Sequence, residues 1–299
     1  MGKTLVLGAT GRLAGLTAKR LHEAAPGGLR VATSRETRLL RLRDRFARAE
    51  AVVADWNDED SLGAAMQGVS RVLVVTPDFV TDENTVTPNI IRAARRVGTV
   101  ELVVRFLGMP PGLNARDLTQ EFLDTRCGAN LHVIAKELLD ASGLPVCYVN
   151  VPGWIMFNAA VFFYPQVKEN RRIAMPAVTD QSRMWVSEHD IAAVMAKVLS
   201  EPPADHAGQE YVLASAERYT YADAARLFAD VLGGPVACVD DDKALRALMG
   251  EEFDKLMTYF RHETRAYGNV AHTQTLSRLL GRPPQTLRDY IEAGRQKFQ

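Results

Sequence analysis

A glycine-rich turn joining a short apolar strand to a helix constrains this chain more than any other feature of its sequence. Residues 3–7, Lys-Thr-Leu-Val-Leu, form an apolar run of the kind a buried parallel strand needs. The segment Gly8-Ala9-Thr10-Gly11-Arg12-Leu13-Ala14-Gly15 follows directly, and Leu13, Leu16 and Leu21 then recur at helical spacing. Each small residue answers a geometric demand. Gly8 permits the tight turn, Gly11 lets the backbone approach a ligand, and Ala14 allows the helix to lie close to the strand. The start of the helix presents unpaired N–H groups and a positive dipole end, a combination that holds phosphate. Placed inside a strand–helix–strand unit, this pattern predicts a dinucleotide pyrophosphate site, with Thr10, Arg12 and Leu13 completing the loop.

The rest of the first half repeats the alternation. Strands are expected at residues 29–33, 51–54, 71–75, 100–106 and 146–151, and helices at 36–47, 60–66, 86–97 and 131–141. Helical crossovers of about a dozen residues impose a parallel sheet with helices on both faces, an α/β fold of the Rossmann type. Beyond Pro152-Gly153 the pattern becomes irregular and mostly helical, as a smaller C-terminal lobe would be. The organisation expected is a dinucleotide-binding domain over residues 1–155, rejoined by 187–215. Residues 156–186 and 216–299 then form a substrate lobe.

Charge narrows the partners. Lys and Arg total 36, as do Asp and Glu, so the net charge is zero, which argues against capture by nucleic acid or an anionic membrane. The one basic run, Arg38 to Arg48, reads as the solvated face of a helix. No apolar stretch reaches the ~18 residues of a membrane span. Three scattered cysteines, Cys127, Cys147 and Cys238, suggest neither a disulfide framework nor a metal site and fit a reducing cytoplasm. The histidines show no metal-ligand spacing, so no metal is expected. A homodimer suits the fold, though no self-complementary surface stands out.

The end of the second strand bears on which dinucleotide is bound. An acidic residue there would hold the ribose of NAD, whereas arginine would pair with the additional phosphate of NADP. Thr33-Ser34-Arg35 supplies a hydroxyl and a guanidinium, which favours NADP; Glu36 follows and leaves NAD open. The run from Trp154 to Tyr164, rich in bulky side chains, either lines an apolar pocket or packs the two lobes together.

These segments together resemble the NmrA-like group of atypical short-chain dehydrogenases. The likeness rests on Gly8-Ala-Thr-Gly11, Ala54-Asp55, Val75-Thr76-Pro77 and His132 to Lys136 before Gly143-Leu-Pro. It continues through Val151-Pro152-Gly153, Val186 to Asp190-Ile-Ala192 and Gly281-Arg-Pro-Pro284. The group includes isoflavone and phenylcoumaran benzylic ether reductases, triphenylmethane reductase, a bacterial quinone oxidoreductase and a dinucleotide-sensing regulator. The resemblance implies that Asp55 and Trp56 contact the adenine and that Thr76 and Pro77 lie beneath the ribose and nicotinamide. It also implies that Leu107, Gly108, Pro152 and Trp154 flank the nicotinamide.

Short-chain dehydrogenases usually combine a serine with a tyrosine and a lysine four residues later, on one helical face. Here the tyrosine position is His132, with Lys136 four residues on, and Phe106 to Pro111 offers no serine. The catalytic candidates are therefore Lys136, a ribose ligand or proton donor, and His132, whose ordinary pKa of ~6.5 suits proton transfer near neutrality. Gly108, Met109, Trp154, Met156, Phe157 and Phe162 are the candidate pocket for an apolar substrate. Two functions follow from the resemblance: an NADPH-dependent reductase of an aromatic or conjugated acceptor, and an NADP-sensing regulator that acts through a protein partner without turnover. Tyr164, Tyr259 and His262 belong to the second lobe, and the sequence does not place them.

Overall fold

Strands that are buried on both faces read as continuous apolar runs, and this chain uses them to build the floor of its site. The computed structural model describes residues 2–215, 217–268 and 270–298. The first half supplies strands β1 (Lys3–Val6), β2 (Leu29–Thr33), β3 (Glu50–Val53), β4 (Val69–Val74), β5 (Leu102–Leu107) and β6 (Val146–Asn150). The second half adds β7 (Trp154–Ile155), β8 (Arg172–Met175), β9 (Arg183–Val186), β10 (Glu210–Val212), β11 (Arg218–Tyr219) and β12 (Ala237–Asp240). Seven strands form one parallel sheet in the order β10-β6-β5-β4-β1-β2-β3, and every residue of β2, β4, β5 and β6 is buried.

The connecting helices are α1 (Arg12–Ala24), α2 (Leu39–Arg45), α3 (Glu59–Met66), α4 (Glu83–Val97), α5 (Gln120–Asp124) and α6 (Ala129–Asp140). After them come α7 (Phe157–Phe162), α8 (Tyr164–Asn170), α9 (Glu188–Ser200) and α10 (Tyr221–Leu232). The last four are α11 (Lys243–Met249), α12 (Phe253–Ala266), α13 (Thr275–Leu280) and α14 (Leu287–Ala293). One face of the sheet is covered through Leu13, Leu21, Leu42, Ile191, Val198 and Leu276, which bring α1, α2, α9 and α13 into a common core. The other face is covered by α3, α4 and α6 through residues such as Leu62, Ile90 and Val133. A third core, containing Trp154, Phe163, Trp185, Phe228 and Phe260, belongs to the second half of the chain. It is threaded by two small sheets, β11-β9-β7 and β12-β8.

The expected α/β fold with a mostly helical C-terminal lobe is what the chain adopts. The local differences have physical causes. The helix expected over 36–47 opens as a 3-10 turn at Glu36–Arg38 and becomes α-helical only from Leu39 to Arg45. The cap of α9 is Ser187, its Oγ accepting the His189 N–H, while Asp190 is buried and accepts from Arg282 Nη2 at 2.5 Å and from the Gln285 N–H at 2.7 Å. The carboxylate thus ties the Gly281-Arg-Pro-Pro284 turn to the start of α9, joining two motifs 92 residues apart. Among the described residues, no helix is long and apolar enough to cross a membrane.

Candidate active site

In a sheet of this order the strand sequence reverses between β1 and β4, and ligands bind outside the carboxyl ends of the strands at that switch point. Gly8 leaves β1 there with φ +70°, a conformation that favours glycine, and a Cβ on it would come 3.2 Å from both the Trp56 indole and the Val75 carbonyl. Gly11 caps α1 with no side-chain hydrogen bond, so the first-turn N–H groups face outward unsatisfied by any cap. The close packing assigned to Ala14 extends to Gly15, where a Cβ would stand 2.8 Å from both the Ala9 carbonyl oxygen and the Arg45 guanidinium. This turn fits a pyrophosphate. Thr10 is partly exposed and Gly11 and Arg12 exposed, while Leu13 is anchored in the core.

Arg12 is held by Glu188, with Nε and Nη2 at 3.1 and 2.6 Å from Oε1, and lies 4.3 Å from the centre of the Phe157 ring. Tyr290 Oη donates to the same Glu188 oxygen at 2.8 Å. The guanidinium therefore stands at the mouth of the turn, braced by the second half of the chain. Beyond β2, Ser34 and Arg35 are exposed, and the Arg35 N–H is turned by Thr33 Oγ1 at 3.3 Å. After β3, Asp55 Oδ1 accepts the Asn57 N–H at 3.0 Å, a local turn that presents the carboxylate at the strand end. Trp56 packs against Gly8, and its carbonyl is fixed by Asn89 Nδ2 at 3.1 Å.

At the ends of β4 and β5 the site is built on a buried charge pair that the sequence did not advertise. Arg105 and Glu83 are both fully buried, with Nη2 and Oε1 2.6 Å apart. Thr76 Oγ1 donates to Glu83 Oε1 at 2.7 Å and accepts from Arg105 Nη2 at 2.8 Å, so the residue expected beneath the ribose is clamped by the pair. Pro77, next along, is exposed. The rim beside it is strained: Phe79 and Arg126 both have φ above +50° or at it, and the Phe79 N–H donates to the Arg126 carbonyl at 2.6 Å.

His132 lies beneath the backbone at Gly108. Its Nε2 would be 3.4 Å from a Cβ there, so a larger residue at 108 would press on the imidazole. The ring is 6 % exposed, sits edge-on to Phe106, and its Nδ1 has no hydrogen-bond partner among the described residues. Burial, reinforced by the nearby Arg105 charge, pushes its pKa well below the usual value and keeps it neutral. Lys136, one turn on, points elsewhere. Its Nζ is 2.7 Å from Asp140 Oδ2, 3.8 Å from Glu210 Oε2, and 4.6 Å above the Tyr148 ring. The two catalytic candidates share a helix face, yet the ion pairs direct Lys136 to the β6–β10 edge.

Leu107, Met109 and Pro152 are buried; the Met109 N–H donates to Asn150 Oδ1 at 3.1 Å, which fixes the end of β5 against β6. The aromatic segment after Gly153 divides. Trp154 and Met156 are buried in the third core, and Trp154 Nε1 donates to Glu263 Oε1 at 2.7 Å. The partner of Glu263 is the buried Arg183, 3.5 Å away, whose guanidinium also lies over the Trp154 and Tyr221 rings. Burial raises the Glu263 pKa, against the lowering by Arg183 and Trp154. Phe157 faces Arg12, whereas Phe162 lines a separate cavity of about 230 Å³ with Met175, Leu245 and Leu248.

Two tyrosines of the second lobe reach the end of β5. Tyr267, 4 % exposed, donates from its hydroxyl to the Gly108 carbonyl at 2.7 Å, and Tyr259 donates to the Tyr267 hydroxyl at 3.3 Å. Gly128 makes room for Tyr259: a Cβ at 128 would fall 2.3 Å from its ring. Burial raises the pKa of both phenols well above the usual value, so both stay protonated at neutral pH. Neither spacing nor local pattern could have found Tyr267, which lies 159 residues from its acceptor.

Comparison with known proteins places the chain in a family. The model of the NmrA-like family matches residues 1–291. The NAD(P)H azoreductase of Xenophilus azovorans is 25% identical over 302 residues, covering 98% of each chain. Quinone oxidoreductase 2 of Escherichia coli (strain K12) is 25% identical over 300 residues, covering 96% of each. The triphenylmethane reductase of Citrobacter sp., solved in complex with NADP(H), superimposes with a TM-score of 0.78 at 20% identity, over 97% of this chain and 99% of that one.

Proposed function

The chain belongs to the NmrA-like family, and from that premise we propose that it is an NADPH-dependent reductase of flat, apolar, conjugated acceptors, with quinones and azo compounds foremost. One observation carries the reading: the uncapped α1 turn at the switch point leads straight to exposed Ser34-Arg35 on one side and to the Thr76 and Gly108 strand ends on the other. A dinucleotide laid along that line meets a charged group suited to an additional phosphate and then the strand ends at Thr76 and Gly108. When bound, the reduced nicotinamide supplies a hydrogen with its electron pair; the protein supplies orientation and a proton.

In this reading Gly8, Thr10, Gly11, Arg12 and Leu13 hold the pyrophosphate, and Ser34 and Arg35 take the 2′-phosphate. Asp55 and Trp56 border the adenine, while Thr76, Pro77, Leu107 and Pro152 support the ribose and nicotinamide. The acceptor lies between Pro77, Gly108 and Phe157. Neutral His132 shapes the floor under Gly108, and Lys136 braces the sheet edge through Asp140 and Glu210. The names of the relatives suggest quinones and azo compounds.

The test is the loss of reduced-nicotinamide absorbance with NADPH, then NADH, against a panel of quinones, azo dyes, enones and imines. Saturable turnover, faster with NADPH, is the expected result. Tight NADPH binding without turnover on any acceptor would instead make the protein a dinucleotide-sensing regulator acting through a protein partner.

A further inference from the structure

Resting on the reductase reading, we propose that Tyr267 is the proton donor of the reaction, with Tyr259 behind it as a relay. Reduction of a quinone needs one proton beyond the hydrogen and electron pair taken from the nicotinamide. The positions that short-chain dehydrogenases use for this hold other groups or make other contacts here. Phe106 to Pro111 carries no hydroxyl, His132 lies beneath the Gly108 backbone, and Lys136 is engaged by Asp140.

The hydroxyl that does reach the end of β5 comes from the second lobe. Tyr267 Oη stands 2.7 Å from the Gly108 carbonyl, at the strand end beside which the far half of a dinucleotide must lie. That contact is the resting partner of the proton, to be exchanged for the oxygen or nitrogen of an acceptor. Tyr267 is also held in place. Arg218 Nη2 donates to the Tyr267 and Gly268 carbonyls at 3.5 and 3.1 Å, tying the segment after α12 to β11. Tyr259 donates to the Tyr267 hydroxyl at 3.3 Å, so a second phenol stands in hydrogen-bond contact with the first. The glycine at 128 is explained by the same arrangement, because any side chain there would displace the Tyr259 ring. Burial keeps both phenols protonated through the neutral range, so the donor is loaded.

The step balances. The quinone takes a hydrogen with its electron pair from the reduced nicotinamide, and its oxygen then takes the proton as the Tyr267 O–H bond breaks. The phenolate regains a proton from Tyr259, and Tyr259 regains one from water. The sum is quinone, NADPH and one proton giving hydroquinone and NADP⁺.

Tyr267→Phe removes one oxygen and preserves the ring, so it tests the assignment with little risk to folding. The expected loss in kcat is on the order of 10²-fold with electron-rich methylated quinones, whose basic products need the proton. It shrinks to a few-fold with chlorinated quinones, whose products leave as anions. The dissociation constant of NADPH, titrated by its fluorescence without acceptor, stays within about twofold. Tyr259→Phe gives a smaller loss with the same dependence on acceptor. Turnover by Tyr267→Phe within twofold of the parent, or an equal loss across all quinones, would overturn the proposal, and so would a large loss of NADPH affinity. A parent protein that binds NADPH and reduces nothing would overturn the reductase reading itself, a result separable from all of these.

Discussion

Removing one partner of the Arg105–Glu83 pair is the sharpest structural perturbation available in this chain. Both side chains are 0 % exposed, 2.6 Å apart, and Glu83 also accepts the hydroxyls of Thr76 and Thr87 at 2.7 and 2.5 Å. In Glu83→Leu the guanidinium remains in the core with its chief counter-charge gone. Breaking such a pair costs about 3–5 kcal/mol, a large share of the ~5–15 kcal/mol that holds a domain together. Arg105→Met strands the carboxylate and costs a similar amount. The double variant Arg105→Met/Glu83→Leu removes both charges and refills the volume, so it should return to within about 2 kcal/mol of the parent. Urea unfolding of the four proteins gives the coupling energy directly. Single variants that lose less than about 1 kcal/mol, or a double variant equal to the sum of the singles, would refute the claim that an isolated charge is what the fold cannot tolerate. NADPH titration of the same set should track Thr76: affinity falls in the single variants, because the clamp on the end of β4 is lost.

Three further outcomes follow from named contacts. Arg35→Asp should weaken NADPH at least tenfold while leaving NADH nearly unchanged; equal effects on both, by fluorescence titration, would remove Arg35 from the phosphate site. His132 has a folded pKa well below its unfolded ~6.5, so below that value the unfolded chain binds a proton that the folded chain does not. Its contribution is thus complete above pH ~6.5 and lost as pH falls, by up to about 1.4 kcal/mol per pH unit. In urea unfolding from pH 5 to 7, His132→Gln should flatten that slope, and an unchanged slope would contradict the burial argument. Asp190→Ala should cost about 2–3 kcal/mol and lower the melting temperature, since it releases both the Arg282 guanidinium and the Gln285 N–H.

The features legible in the sequence are those whose cause is local. Gly8 and Gly11 could be read because a turn of fixed length needs backbone freedom at fixed offsets, and the parallel strands because burial on both faces leaves unbroken apolar runs. The strands Arg172–Met175 and Arg183–Val186 escaped because four residues carry too little pattern to separate a strand from a loop. Asp190 and the Gly281-Arg-Pro-Pro284 turn were each visible, and only the fold reveals that one holds the other. Arg105 sat unnoticed inside an apolar strand, since its partner lies 22 residues earlier on another element. The aromatic run after Gly153 is part wall and part core: the indole of Trp154 is committed to Glu263 and Arg183, and Phe157 alone of the group turns to the phosphate loop. The donor hydroxyl at Gly108 comes from the far end of the chain, a placement that only tertiary packing can make.

In the proposed function this site delivers electrons from bound NADPH to an apolar acceptor. Single turnover tests it most directly: protein loaded with one equivalent of NADPH is mixed rapidly with excess methylated quinone, and absorbance at the nicotinamide band is followed. The expected result is complete, stoichiometric loss of the reduced cofactor in one exponential phase that Tyr267→Phe slows. Bound NADPH that stays reduced while quinone is present in excess would contradict it.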